Sequence, residues 1–337
     1  DIIRIAGYDR LPATSLPKME GRRQALLTPA QNNVRLARRA LAARGLSEAI
    51  TWAFCSREHA QLFGGGDSPE IILDNPISSD LDTMRPSALI HLLLAAQRSA
   101  NQGYPRAAIF ESGAIYHSDD PQSGQSRTIA GIRRAEIARS YDGNSAPDAL
   151  TVKADAMTAL AAMGVKIDNL QIVRGASDYF HPGRSGRLQM GPKKILAQFG
   201  ELHPAILAAM DIDAPVMGFE IFPDAVPLPR KKSASKSKGA LALSGLMPVH
   251  RDFAFIVPDS VAAGDILKAA KGADKSLITD VTLFDIYAGK GVEDGHKSLA
   301  IDVTISPKAA TLTDKDIDAI SDRIITQVAK TGGVLRG

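Results

Sequence analysis

Over residues 243 to 337 the apolar positions change period in a definite order. RDFAFIV (251–257) alternates, VAAGDILKAAKGA (261–273) repeats every three to four residues, and ITDVTLFDIYA (278–288) and KSLAIDVTIS (297–306) alternate again. TDKDIDAISDRIITQVAKT (313–331) then returns to helical spacing before the short run GVLR (333–336). A period of two marks a half-buried strand and a period near 3.6 an amphipathic helix. The predicted order is therefore β-α-β-β-α-β, the ferredoxin-like arrangement. Thr313, followed by Asp314 and Asp316, suits a helix N-cap with acidic residues in the first turn.

Alternation also sorts side chains by face, because neighbours along a strand point to opposite sides. Phe253, Phe255 and Val257 form one apolar set and leave Ala254 on the other side. Leu299, Ile301, Val303 and Ile305 turn inward, and Ser298, Ala300 and Asp302 outward. In the second strand Phe284 and Ile286 are the natural core pair, which sends Asp285 and Tyr287 outward. With the third strand between the first and second, Ala254, Ser298, Asp285 and Tyr287 are expected on one open sheet surface. A ring that can stack and a carboxylate that can accept hydrogen bonds make a seat for an unpaired base. A strand-forming Tyr and an edge-blunting Asp predict the same pattern.

Between residues 18 and 229 helical and strand patterns mix. LTPAQNNVRLARRALAARGL opens with Thr28 as N-cap and Pro29 at the first helical position, and Gly45 is a plausible stop. Arg35, Arg38, Arg39 and Arg44 on it read as a solvated face. Strand-like runs are AITWAFCS, EIILDNPI, AAIFESGAIYH, RTIAGIR, NLQIVRG, ILAQFGEL and VMGFEIF, interrupted by helical patterns at 87–100 and 151–163. Consecutive strands with helices against them imply an antiparallel sheet and an α+β fold. FHPGRSG, with His181 and Arg184, reads as a polar turn. DNPISSDLDTMRPSALI leads into an apolar helix and suits a partner-facing role.

At 337 residues two domains are expected. The segment RKKSASKSKG (230–239) lacks apolar periodicity and reads as a linker. Its five positive charges exceed the net +3 of the chain and leave the remainder net negative, so total charge argues weakly for nucleic acid. The opening DIIRIAGYDRLP resembles the last turns of a helix stopped by Gly7 and Pro12. The expected division is 1–17, a remnant of an upstream domain; 18–229, the mixed module; 230–242, the linker; and 243–337, the ferredoxin-like domain. No apolar run approaches 18 residues and the sequence shows no charged-then-apolar leader, so a cytoplasmic protein without membrane contact is expected. Cys55 is the only cysteine, which excludes internal disulfides and thiolate zinc sites. The seven histidines are scattered without ligand spacing, and FGGGD lacks the Lys-Ser or Lys-Thr of a phosphate loop.

RDFAFIV, LFDIYAGKGVEDGHKSLAIDVTI, TLTDKDI and GGVLR together resemble the ferredoxin-fold anticodon-binding domain of the bacterial phenylalanine-tRNA ligase beta subunit. Upstream, RIAGYDRLP, DNPISSDLDTMRPSALIHLLLAAQRSANQG, IFESGAIY, FHPGRSG and QFGELHP resemble the same subunit's class II synthetase-like module, in order. The resemblance implies that Ala254, Asp285, Tyr287 and Ser298 contact the tRNA(Phe) anticodon, whose first base is guanine. It implies a heterotetramer with a catalytic alpha subunit, ATP bound by that subunit, and Mg²⁺ in the complete enzyme. The family's metal-binding acidic cluster lies just upstream of the RIxGYD motif, so only Asp1 could be its remnant here. One carboxylate cannot hold Mg²⁺. Class II modules hold ATP with arginines; the matching strands, FESGAIY and GFEIF, offer none, so this chain is expected to make no adenylate. The alternative reading is a ferredoxin-like protein that senses a small molecule, fused to a synthetase-like relic.

Overall fold

A computed structural model describes residues 1–15, 26–65, 68–134, 146–228, 244–308 and 310–336. Contacts divide the chain into two units, Asp1–Lys231 and Lys232–Gly337. The predicted linker at 230–242 lies outside the described residues.

The first unit opens with α1 (Ile2–Ala6), closed by Gly7 at φ 97°. Next come α2 (Pro29–Ala43), β1 (Ser47–Glu48), β2 (Phe54–Cys55), α3 (Arg57–Ala60), β3 (Thr83–Met84) and α4 (Leu89–Asn101). The long strands follow: β4 (Ala107–Tyr116) and β5 (Gln125–Arg134), then α5 (Ala149–Ala162), β6 (Gln171–Arg174), β7 (Phe180–Gln189), β8 (Ile195–Leu202), α6 (Pro204–Ala209) and β9 (Val216–Ile221). Seven strands form one sheet in the order β1-β4-β5-β9-β8-β7-β6, antiparallel except for the β1–β4 pair.

One face of this sheet packs on α2 and α5, through Leu41, Val152, Leu160, Phe110, Phe199 and Phe219. Phe110, Gly131, Phe219, Phe199 and Gly186 are successive partners across five strands. The Phe219 ring fills the space over Gly131, where a Cβ would come within 2.4 Å of it. The opposite face packs on α4 through Ala130, Ile132, Leu89, Leu92 and Leu93. Asp155 on α5 is fully buried and ion-paired to Arg44 after α2 and, at 2.6 Å, to Arg133 on β5. Arg38 pairs with Glu48 at 2.6 Å. Two of the four α2-region arginines read as solvated are thus tied to the fold.

Two predicted strands are mostly irregular. In AITWAFCS only Phe54 and Cys55 pair, and EIILDNPI forms a short 3-10 turn at Pro69–Ile71 and a single bridge, Ile72 to Thr83. Cys55 and Ile71 are buried, but Ile50, Trp52 and Ile77 are exposed, so these apolar residues build no ladder. FHPGRSG is no turn: it opens β7, where the register shifts between Phe180 and Ser185. Arg184 there ion-pairs with Glu201, which holds the Glu201 carboxyl below its usual range. Leu89 and Ile90 are fully buried in α4, so the apolar side of DNPISSDLDTMRPSALI is core. Cys55 is buried, and desolvation pushes its thiol up to about 12, as an inert filler.

The second unit contains β10 (Val249–Pro258), α7 (Ala263–Gly272), β11 (Ile278–Tyr287), β12 (His296–Ile305), α8 (Asp314–Ala329) and β13 (Val334–Leu335). Its sheet runs β11-β12-β10-β13, so the predicted β-α-β-β-α-β trace is the observed one. Phe253, Phe255, Val257, Leu299, Ile301, Val303 and Ile305 pack with Ile266 of α7 and Ile320, Ile324 and Val328 of α8. Thr313 caps α8 in a reciprocal box with Asp316.

The second strand departs from strict alternation. Leu283 faces Ile301 and packs on the core, whereas Phe284 is unpaired in a bulge, and Asp285 then faces Ala300. Phe284 and Ile286 are 57% and 59% exposed. They are not the core pair expected from the sequence; Val281 and Leu283 take that place. One extra residue in a strand swaps the face of everything beyond it. Asp285 and Tyr287 therefore point outward because of the bulge.

Candidate nucleic-acid interface

Directly opposed residues in an antiparallel sheet share a face. Ala254, Ala300 and Asp285 form one row across β10, β12 and β11, and Ile256, Ser298 and Tyr287 form the next. All four residues singled out from the sequence lie on these two rows, on the face away from α7 and α8. Asp285 is exposed, and its carboxylate hydrogen-bonds to no described residue. Tyr287 is 40% exposed, and its hydroxyl donates to the Lys290 carbonyl at 3.1 Å, which fixes the ring beside the β11–β12 loop. Ala254 is partly exposed. Ser298 differs from expectation: it lies on the predicted face but is only 4% exposed, so it belongs to the floor.

Alternation alone missed Arg336. Its backbone N–H donates to the Ala254 carbonyl at 2.8 Å, just past β13. Its guanidinium reaches across the open face to lie 5.9 Å from the Tyr287 ring centroid, within cation–π range. The signal was a lone cation directly after the last strand, but only the sheet order shows where it reaches. The small side chains of Ala254, Ser298 and Ala300 leave room beneath that contact. An aromatic face, an open carboxylate and a guanidinium thus surround a shallow floor. Together they can stack a flat heterocycle, accept from its N–H edge and hold an adjacent anion.

Asp1 belongs to the first unit. It is exposed and pairs with Arg4 at 3.2 Å. Among the described residues no group of three His, Cys, Asp or Glu side chains could hold a metal ion. The described residues do not fit a Mg²⁺ site.

In the large sheet, the strand read as the counterpart of an ATP-binding strand places Glu111 on the face toward α4, 3% exposed. Arg85 is equally buried and holds it at 2.8 Å, while also donating to Thr51 Oγ1 at 2.8 Å and to the Ala114 and Trp52 carbonyls. Thr51 donates to the other Glu111 oxygen at 2.5 Å. Gly113 permits this approach, since a Cβ there would lie 2.4 Å from Arg85 Nη2. The guanidinium is consumed by structure, and these residues do not fit an ATP-phosphate site. His91 is likewise committed, with Nε2 2.6 Å from the Phe54 carbonyl oxygen and burial lowering its proton affinity.

No helix among the described residues is long and apolar enough to cross a membrane. Residues 12–222 match the family model of the phenylalanyl tRNA synthetase beta chain CLM domain, and 244–336 that of the ferredoxin-fold anticodon binding domain. The phenylalanine-tRNA ligase beta subunits of Bradyrhizobium diazoefficiens and Rhodopseudomonas palustris are each 46% identical over the whole of this chain and 42% of their own length. That of Rhodospirillum rubrum is 46% identical over the same shares. The chain thus spans about two fifths of the relatives it matches. Among solved structures, pyrrolysyl-tRNA synthetase from Desulfitobacterium hafniense aligns at a TM-score of 0.45 and 14% identity over 58% of this chain and 67% of that one, too distant a likeness to carry an argument. With one model covering the large sheet and the other the small one, the chain belongs to the phenylalanyl-tRNA synthetase beta chain family.

Proposed function

We propose that this chain serves phenylalanine-tRNA ligase as a non-catalytic part of its beta subunit. Its second unit binds the tRNA(Phe) anticodon, and its first unit scaffolds a catalytic alpha subunit that carries ATP. The observation that supports this most is the outward placement of Asp285 and Tyr287 on one open sheet face, with Arg336 over the ring. Tyr287 stacks on the first anticodon base, and Asp285 accepts from the N1–H and N2–H₂ edge of guanine. Ala254 and Ser298 supply the low floor, and Arg336 pairs with a neighbouring phosphate. The name of the relatives, a beta subunit, supports a partner chain. The buried commitment of Arg85 and Glu111 supports a scaffold over a catalyst in this unit.

Filter binding of tRNA(Phe), against a variant with the first anticodon base replaced, tests the reading. Tyr287→Ala is expected to weaken binding by about 1 to 3 kcal/mol, the worth of one base stack. Asp285→Ala is expected to lose about 1 to 3 kcal/mol of preference for guanine, the cost of leaving its donors unmatched. An equal loss for every first base would remove Asp285 from base recognition.

A further inference from the structure

The large sheet holds a second buried glutamate in the same row as Glu111. Gln198, Glu220, Ala130 and Glu111 are successive partners across β8, β9, β5 and β4, so both glutamates face the same side. Their surroundings differ. Glu111 has Arg85, whereas no cation among the described residues ion-pairs with Glu220. Glu220 is 1% exposed and accepts only neutral donors: Ser87 Oγ at 2.6 Å, Tyr179 Oη at 2.6 Å and Gln198 Nε2 at 2.8 Å. Its Oε1 accepts from Ser87 alone and keeps acceptor capacity. A buried carboxylate is ordinarily matched by a cation, because neutral donors do not offset its lost hydration.

A cavity of about 560 Å³ opens onto this carboxylate. Its apolar wall includes Phe63, Phe222 and the Tyr179 ring, with Phe63 and Tyr179 centroids 5.1 Å apart. Exposed Asp178 adds a second carboxylate at the rim. No lysine or arginine lines the cavity, and the histidine on its wall, His117, has its Nε2 2.8 Å from Ser126 Oγ, so a phosphate or carboxylate ligand would meet two carboxylates without a fixed cation.

We propose that this cavity binds a small organic amine, whose ammonium supplies the counter-charge of Glu220 and whose apolar body rests on Phe63, Tyr179 and Phe222. Aromatic faces favour the same cation. Burial raises the proton affinity of Glu220, and an ammonium beside it would lower it again. Binding therefore tightens as pH rises through the titration of Glu220. The site belongs to the first unit alone and is independent of the anticodon reading.

Isothermal titration of the full chain with benzylamine, benzoate and phenylalanine tests it. Saturable benzylamine binding is expected, with benzoate silent and zwitterionic phenylalanine weaker. Glu220→Gln should weaken benzylamine about 30-fold or more, as loss of a buried charge partner does. Asp178→Lys, at an exposed position that leaves the packing intact, should weaken it about fivefold or more by placing a cation at the mouth. Absence of benzylamine binding at millimolar concentration, benzoate or phenylalanine binding as tightly, or an unchanged affinity in Asp178→Lys would each overturn the proposal. If Glu220→Gln does not fold by circular dichroism, the Asp178→Lys result and the ligand series decide.

Discussion

The two sheets spend the same residue types in opposite ways. On the large sheet, Glu111 and Arg85 satisfy each other in the interior, at 3% and 2% exposure, and Thr51 and two carbonyls fill the remaining valences. On the small sheet Asp285 stays open to solvent and Arg336 is exposed over Tyr287. A charge that has closed on an internal partner is structure, because moving it costs desolvation and a broken pair. A charge kept at a surface beside a ring is available to a ligand at little cost. The contrast separates a sheet whose charges are closed on internal partners from one whose charges stay open to a ligand.

The contrast can be broken most severely at Arg85. Arg85→Met strands Glu111 as a buried charge and is expected to cost the first unit about 3 to 5 kcal/mol. Urea unfolding followed by Trp52, the only tryptophan, reads that unit, and Arg85→Met with Glu111→Leu should recover much of the loss. A loss below 1 kcal/mol, on the scale of surface pairs, would mean that Arg85 is not structural.

Deleting Phe284 is the next largest step. Without the bulge, pairing beyond Leu283 shifts by one residue, and either Asp285 and Tyr287 turn toward the helices or the strand slips. Anticodon discrimination of about 1 to 3 kcal/mol should vanish, whereas Phe284→Ala, which keeps the extra residue, should retain it. Equal behaviour of the two variants in tRNA binding would deny the bulge its role.

Glu220 gives the smallest effect. Burial raises its folded proton affinity above the ordinary carboxylate range, so over the interval between the two the folded chain holds a proton that the unfolded chain has released. Stability from this group is full below the unfolded value and declines as pH rises through the folded one, by less than about 1.4 kcal/mol per pH unit. Relative to Glu220→Gln, the first unit should lose stability as pH is raised from the ordinary carboxylate range. A difference independent of pH would show that the three neutral donors outweigh burial.

Much of the small domain was legible before any coordinates. Period switching between residues 249 and 335 was strong, and Thr313 marked its helix start. The large sheet was less so. Val216–Ile221, buried on both faces, carries no alternation yet reads as a strand from its apolar run, whereas β7 hid behind His, Pro and Gly that normally mark turns. The expected core pair Phe284 and Ile286 failed for a specific reason, since a bulge leaves no mark in composition. Ser298 failed in degree, because its burial depends on what lies above it.

By itself the sequence determined the element order of the second unit and the presence of a carboxylate and a ring near the carboxyl end, since these depend on local periodicity and residue chemistry. Tertiary structure alone decided that the Phe284 bulge turns those groups outward, that the Arg336 guanidinium comes to lie by the ring, and that of two glutamates in one row Glu111 alone has a cation among the described residues. Register and ion pairing join positions distant along the chain, and no local pattern encodes which partner a charge will find.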